Sequence, residues 1–169
     1  MPESETITAL AEALVTELIS AGKSVATAES CTGGWIAKSI TDISGSSQCF
    51  AYGIVSYSNG AKESVLGVNS GTLTEHGAVS EETVQEMSEG VLNLSGADLS
   101  VAVSGIAGPG GGSDEKPLGT VWFGWSMRGS GKIHTDTLRR QLSGDRGSIR
   151  SQAVIIALQE FRERLRTNG

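Results

Sequence analysis

Hydroxyl and thiol side chains cluster in a glycine-containing turn in the first fifth of the chain. Ser30, Cys31 and Thr32 directly precede Gly33 and Gly34, and each of the three could attack an electrophile. Glycines let the backbone bend and approach a ligand closely, and the N–H groups at the start of a following helix favour an anion. The turn therefore predicts a nucleophile beside an anion site, although Ser30 or Thr32 could instead be a plain helix cap.

A serine hydroxyl becomes a good nucleophile only when a neighbouring base removes its proton. The two histidines, His76 and His134, lie in other segments of the chain, which gives little support to a Ser-His-Asp arrangement. Lys62 could be the base if burial favours its neutral amine, and Tyr57 could relay the proton. The alternatives are a solvated Lys62 and a Tyr57 that packs at a strand end.

A further feature lies before the final predicted helix. Arg146 follows Asp145, and its guanidinium, together with the N–H groups at the helix start, could hold a phosphate. A salt bridge between Arg146 and Asp145 is the alternative, and the two interpretations stay open at this point.

Hydrophobic periodicity predicts the elements that position these residues. Apolar runs predict strands over 24–28, 50–57, 99–104 and 120–126, and a further strand of weaker, more exposed character is predicted over 133–142. Helical spacing predicts helices from a Ser4 cap to Gly22, over 33–43, around Lys62, from a capping box at 72–75, from Ser80 to Gly96, and from Asp145 or Gly147 to Arg166.

This alternation predicts an α/β fold, a three-layer α/β/α sandwich with a mostly parallel, mixed sheet. In such sheets ligands bind beyond the carboxyl ends of the strands. Ser30, the segment 57–62 and the segment from Ser104 onward should therefore meet at one edge. The segment 105–119 holds six glycines and two prolines, which is typical of a functional or mobile loop.

Composition limits the class of protein. The 169 residues fit one domain over 1–169. A net charge of −6, with no dense run among the 13 Lys and Arg residues, argues against nucleic-acid binding, so any nucleotide that binds is expected to be a small molecule. The acidic start and the absence of a long apolar run predict neither a signal peptide nor a membrane span, and hence a cytoplasmic protein. Cys31 and Cys49 are expected to stay reduced, and the isolated histidines predict no metal site.

Six motifs in order resemble the C-terminal domain of the CinA proteins, a family of nicotinamide mononucleotide deamidases. They cover 28–34, 57–59 with Lys62, 76–80, 104–109, 116–121 and 144–146. The resemblance implies hydrolysis of nicotinamide mononucleotide to nicotinic acid mononucleotide and ammonia, with no metal and no cofactor. The chain resembles the stand-alone form, without the molybdopterin-binding-like domain that is fused to many relatives.

The resemblance also implies roles for individual residues. Ser30 is the implied nucleophile, with Lys62 and Tyr57 as its proton-handling partners, and backbone N–H groups around 32–34 are the implied oxyanion donors. Ser104, Gly105 and Arg146 would meet the ribose and the phosphate. The implied substrate-binding residues are Cys31, Thr32, Gly33, Gly34, Asn59, Ser104, Gly105 and Arg146.

Two other interpretations stay open, one of the function and one of the nucleophile. The chain could be a non-catalytic nucleotide-binding protein of the competence or DNA-damage response. Alternatively, Cys31 could be the nucleophile, because a thiol at a helix N-terminus ionises readily. The amphipathic helices also leave room for a homodimer.

Overall fold

The structure, a computed structural model, describes residues 2–168. Its five strands form one sheet in the order β2-β1-β3-β4-β5. The strands are β1 (Val25–Glu29), β2 (Phe50–Val55), β3 (Leu99–Gly105), β4 (Thr120–Gly129) and β5 (Lys132–Gln141). The helices are α1 (Glu3–Ala21), α2 (Trp35–Thr41), α3 (Asn59–Leu66), α4 (Ser70–His76), α5 (Glu81–Ser95) and α6 (Arg146–Asn168), with a 3₁₀ turn at Ser46–Gln48.

The sheet is mixed, as predicted. β1 pairs in parallel with β2 and β3, whereas β4 pairs antiparallel with both β3 and β5. Four strands therefore run in one direction and β4 runs against them. The carboxyl ends of β1, β2 and β3 lie side by side at one edge of the sheet.

Helices cover both faces of the sheet and give the predicted three layers. Because side chains alternate along a strand, Val101 and Val103 of β3 face α1, α2 and α6, whereas Ala102 faces α3, α4 and α5. The first face holds the larger hydrophobic core, in which the rings of Phe123 and Trp125 stack 5.7 Å apart. The alanines of the other face let α5 pack closely against the sheet.

The predicted helix ends are right in some places and wrong in others. The Ser80 hydroxyl caps α5 by accepting the Thr83 N–H, and Gly22 ends α1 in the left-handed conformation. Ser4 is no cap, because α1 begins directly after Pro2, whose fixed φ suits a helix start. The expected helix start at Thr72 is also wrong, since that residue lies inside α4 and donates its hydroxyl to Glu86 of α5.

No described helix is both long and apolar enough to cross a membrane. Whether residues 1–169 make up a single domain and whether the chain forms homodimers stay predictions.

Candidate active site

The carboxyl ends of three neighbouring strands enclose a cavity of about 300 Å³. Ser30 follows β1, Tyr57 follows β2 shortly before α3, and Ser104 and Gly105 end β3. The start of α6 contributes Arg146 from the far end of the chain. The predicted site residues that line this cavity are Ser30, Cys31, Tyr57, Asn59, Lys62, Ser104, Gly105 and Arg146.

Lys62 and Ser30 form the chemical centre of the cavity. The Lys62 Nζ atom lies 2.9 Å from Ser30 Oγ, 2.8 Å from the Ser56 carbonyl oxygen and 3.3 Å from the Tyr57 carbonyl oxygen. The lysine is 1% exposed, and within residues 2–168 it forms no salt bridge with a carboxylate. Burial therefore lowers the pKa of Lys62.

These three neighbours suit a neutral amine. A neutral Lys62 has two N–H groups, which can donate to the carbonyls of Ser56 and Tyr57, and one lone pair, which can then accept the Ser30 O–H. The α3 helix fixes this arrangement, because the Ser58 hydroxyl caps it by accepting the Ala61 N–H at 3.1 Å. The geometry can therefore activate a serine hydroxyl without a histidine.

Cys31 is poorly suited to be the nucleophile. Burial, reinforced by the nearby Glu29 carboxylate, raises the pKa of the Cys31 thiol to about 11. A thiol with that pKa is almost entirely protonated at neutral pH, and the thiolate is the reactive form. The side chain that forms a hydrogen bond with Lys62 is Ser30, not Cys31.

Glu29 is a buried acidic residue next to Ser30 that was not predicted from the sequence as a site residue. Its carboxylate is 1% exposed and accepts the Thr32 hydroxyl at 2.6 Å, the Ile36 N–H at 2.8 Å and the Ala37 N–H at 3.0 Å. Burial raises the pKa of Glu29. The N-terminus of α2 therefore holds a carboxylate of the protein itself, and the expected anion site for a ligand at this helix is wrong.

Thr32, Gly33 and Gly34 do not line the Ser30 cavity, contrary to expectation. They line a neighbouring groove together with Arg150. The Gly33 N–H donates to the Ser30 carbonyl at 3.0 Å, so the turn folds back on itself and presents these residues to the other side.

Arg150, the second missed residue, ties α6 to this turn. Its Nε donates to the Cys31 carbonyl at 2.9 Å and its Nη2 donates to the Thr32 carbonyl at 3.2 Å. The guanidinium also lies over the Trp35 ring, 5.7 Å from its centre. The only signal in the sequence is that Arg150 comes one helical turn after Arg146.

Arg146 reaches across the mouth of the cavity. Its guanidinium donates to the Gly108 carbonyl at 2.7 Å and to the Tyr57 hydroxyl at 2.9 Å. The Asp145 carboxylate instead accepts the Ser148 N–H at 2.8 Å, and no salt bridge joins Arg146 to an acidic side chain of residues 2–168. The structure thus does not form the alternative ion pair, and the guanidinium is left with neutral partners.

The Tyr57 hydroxyl lies away from the Ser30–Lys62 pair. The side chain is 59% exposed and its hydroxyl contacts Arg146, whereas only its main-chain carbonyl contacts Lys62. A proton relay through the phenol would therefore require the ring to leave Arg146.

A larger cavity of about 410 Å³ adjoins the first at Val79 but contains none of the predicted site residues. Two of the six sequence motifs meet here, because the Lys116 amine donates to the His76 carbonyl. This contact anchors the glycine-rich segment beside α4. Among the described residues, no group of three His, Cys, Asp or Glu side chains could hold a metal ion.

Comparison with known proteins decides the family. The sequence profile of the CinA C-terminal domain matches residues 7–165. The chain belongs to the CinA C-terminal domain family. Relatives include the nicotinamide-nucleotide amidohydrolase PncC of Enterobacter agglomerans, 57% identical over 80% of each chain. The protein of the same name from Escherichia coli K12 is 52% identical over 94% of each chain.

Solved structures of CinA proteins share the fold. A CinA superfamily protein from Klebsiella pneumoniae superposes with a TM-score of 0.88 at 42% identity, over 95% of this chain and 98% of that one. A competence/damage-inducible protein from Agrobacterium tumefaciens gives a TM-score of 0.87 at 44% identity, over 94% of both chains.

Proposed function

We propose that this CinA-family chain is an amidohydrolase that converts nicotinamide mononucleotide and water to nicotinic acid mononucleotide and ammonia. Two relatives that are 57% and 52% identical carry the name nicotinamide-nucleotide amidohydrolase. The observation that carries the proposal in this chain is the buried Lys62 Nζ atom, 2.9 Å from Ser30 Oγ. A protein that only binds nucleotides has no need of a hydroxyl paired with a buried amine.

In the proposed reaction, Ser30 Oγ attacks the carbon of the substrate amide while the Lys62 amine takes the hydroxyl proton. The amide oxygen becomes an anion, and collapse of this tetrahedral intermediate breaks the C–N bond. Lys62 returns its proton to the departing nitrogen, which leaves as ammonia. A water molecule then attacks the ester on Ser30, with Lys62 again taking the proton, and releases the carboxylic acid and the free serine.

We propose that Arg146 binds the substrate phosphate. Its guanidinium lies at the cavity mouth among neutral partners, and a planar guanidinium matches phosphate oxygens well. The Tyr57 hydroxyl is its neighbour and would meet the same end of the substrate. The expected role of Tyr57 in proton transfer stays a prediction, as do the substrate contacts of Asn59, Ser104 and Gly105 and the cytoplasmic location.

The test is to incubate the purified protein with nicotinamide mononucleotide and to measure ammonia and nicotinic acid mononucleotide together. We expect one ammonia for each acid formed. Binding of the nucleotide without release of ammonia would contradict the proposal and favour the alternative, a nucleotide-binding protein of the competence or DNA-damage response.

A further inference from the structure

The N–H groups around Ser30 are mostly committed to the protein itself. The Ser30 N–H donates to the Val103 carbonyl at 2.9 Å, and the Gly33 N–H donates to the Ser30 carbonyl at 3.0 Å. At the start of α2, the Trp35 N–H donates to the Thr32 carbonyl, and the Ile36 and Ala37 N–H groups donate to Glu29. Within residues 2–168, the N–H groups of Cys31 and Thr32 donate to no oxygen atom, so both are available as donors next to the nucleophile in the chain.

The direction of the Thr32 N–H is set by Arg150. Arg150 holds the Cys31 carbonyl from the side of α6, and that peptide bond is trans, since the only cis bond among the described residues is Gly108-Pro109. In a trans peptide the C=O and N–H groups point in opposite directions. The Thr32 N–H is therefore directed away from Arg150 and from the groove that Arg150 lines.

The turn contains two glycines, which restrict the backbone less than other residues do. Gly33 and Gly34 adopt positive φ angles of 61° and 96°, a region that glycine enters and leaves easily. Arg150 sits so close that a Cβ atom on Gly33 would lie 3.1 Å from its Nη2 atom. A planar guanidinium presents two donors in a rigid fork and so holds two successive carbonyls at a set angle, whereas a lysine amine on its flexible stem leaves their direction free to vary.

We propose that Arg150 is a positioning residue for catalysis, which holds the Cys31–Thr32 peptide so that its N–H stabilises the oxyanion formed when Ser30 attacks. The inference rests on the serine mechanism proposed above. The oxyanion donor, expected among the N–H groups of 32–34, is then the N–H of the Cys31–Thr32 peptide. Arg150 is the side chain that orients this peptide. Arg150 itself lies outside the Ser30 cavity and touches no reacting atom.

The matched test compares Arg150→Lys with Arg128→Lys. Arg128 makes the same kind of contact far from the site, because its Nε and Nη2 donate to the carbonyls of Ala97 and Leu92 at 2.9 and 2.8 Å. With nicotinamide mononucleotide as substrate, we expect Arg150→Lys to lower kcat at least about tenfold, since loss of a whole oxyanion donor costs about 10²–10³-fold. KM and the inhibition constant of nicotinic acid mononucleotide should stay near wild type, because neither depends on the oxyanion. Arg128→Lys should keep the wild-type kcat at a similar change in Tm.

Several results would overturn this role. These are an unchanged kcat in Arg150→Lys, an equal fall of kcat in both variants, or a higher KM at unchanged kcat. Arg150→Gln, which keeps an amide donor, serves as the second variant. If both Arg150 variants fail to fold while Arg128→Lys folds, the role of Arg150 is purely structural.

A second readout separates this inference from the choice of substrate. A fluorophosphonate probe forms a bond from Ser30 Oγ to phosphorus, fluoride leaves, the serine proton passes to Lys62, and the phosphoryl oxygen takes the place of the oxyanion. Mass spectrometry of the Ser30 peptide should show labelling at least about tenfold slower in Arg150→Lys than in wild type and Arg128→Lys. A wild-type protein that releases no ammonia but is labelled with this difference would contradict the proposed function alone. Equal labelling rates, or no labelling of the wild type, would overturn the inference.

Discussion

At the scale of single residues, the protonation state of Lys62 controls the proposed chemistry. Burial lowers the pKa of this amine below the ordinary value of 10.5, so the neutral, basic form becomes more abundant as the pH rises through the lowered pKa. We therefore expect kcat to rise with pH along a limb that lies below 10.5 and to level off above it. A pH–rate profile of the wild-type enzyme measures this limb.

Replacement of Lys62 distinguishes a base from a positive charge. Lys62→Arg keeps the charge but cannot release a proton in a protein, so it should be nearly as inactive as Lys62→Ala. Circular dichroism of both variants would control for folding. Recovery of most of the wild-type activity in Lys62→Arg would mean that Lys62 only orients the substrate or stabilises the oxyanion.

Arg146 supports a prediction about substrate choice. Among the described residues its guanidinium donates to two neutral groups, the Gly108 carbonyl and the Tyr57 hydroxyl, which leaves its charge available for a phosphate. Arg146→Ala should raise KM for nicotinamide mononucleotide by about tenfold or more, the loss of a charge-assisted contact, and should leave KM for nicotinamide riboside nearly unchanged. An equal rise for both substrates would place the phosphate elsewhere.

At the scale of elements, the position of Lys62 depends on how closely α3 packs against α5. Gly90 of α5 faces the carbonyl of Leu66, and a Cβ atom at this position would overlap that carbonyl group. Gly90→Ala should therefore move α3, lower the free energy of unfolding by about 1–3 kcal/mol and lower kcat. Gly71 lies in α4, where a Cβ atom would have no neighbour within 4 Å, so Gly71→Ala is the matched control and should be neutral or slightly stabilising.

Urea unfolding of the two glycine variants measures this difference directly. Equal stability of Gly90→Ala and Gly71→Ala would contradict this prediction, because it would show that the added Cβ atom at position 90 is accommodated without cost.

The sequence predicted the elements well where local signals decide them. All five strands were expected close to where they lie, although β5 is mostly polar and has no buried residue. Ser80 caps α5, as its hydroxyl and the following glutamates indicated. Thr72 was misassigned because its hydroxyl is used by Glu86 of another helix. That partner lies 14 positions away along the chain, and no local pattern reveals it.

At the scale of the whole molecule, the site is assembled from distant segments that the topology brings to one edge. The rule that ligands bind beyond the carboxyl ends of parallel strands was enough to bring Ser30, Lys62 and Ser104 together from the sequence. The roles of Glu29 and Arg150 could not be predicted in this way. A glutamate is ordinarily exposed, and Arg150 contacts Cys31 from 119 positions away.

The sharpest test of the serine mechanism compares ammonia release from nicotinamide mononucleotide by Ser30→Ala and by Cys31→Ala. Ser30→Ala removes the single oxygen that lies 2.9 Å from Lys62 and should lower kcat by at least about 10³-fold while nucleotide binding persists, since loss of a nucleophile costs far more than loss of one donor. Cys31→Ala should keep most of the activity, because burial holds the pKa of its thiol at about 11. An active Ser30→Ala together with an inactive Cys31→Ala would contradict the serine mechanism and make Cys31 the nucleophile.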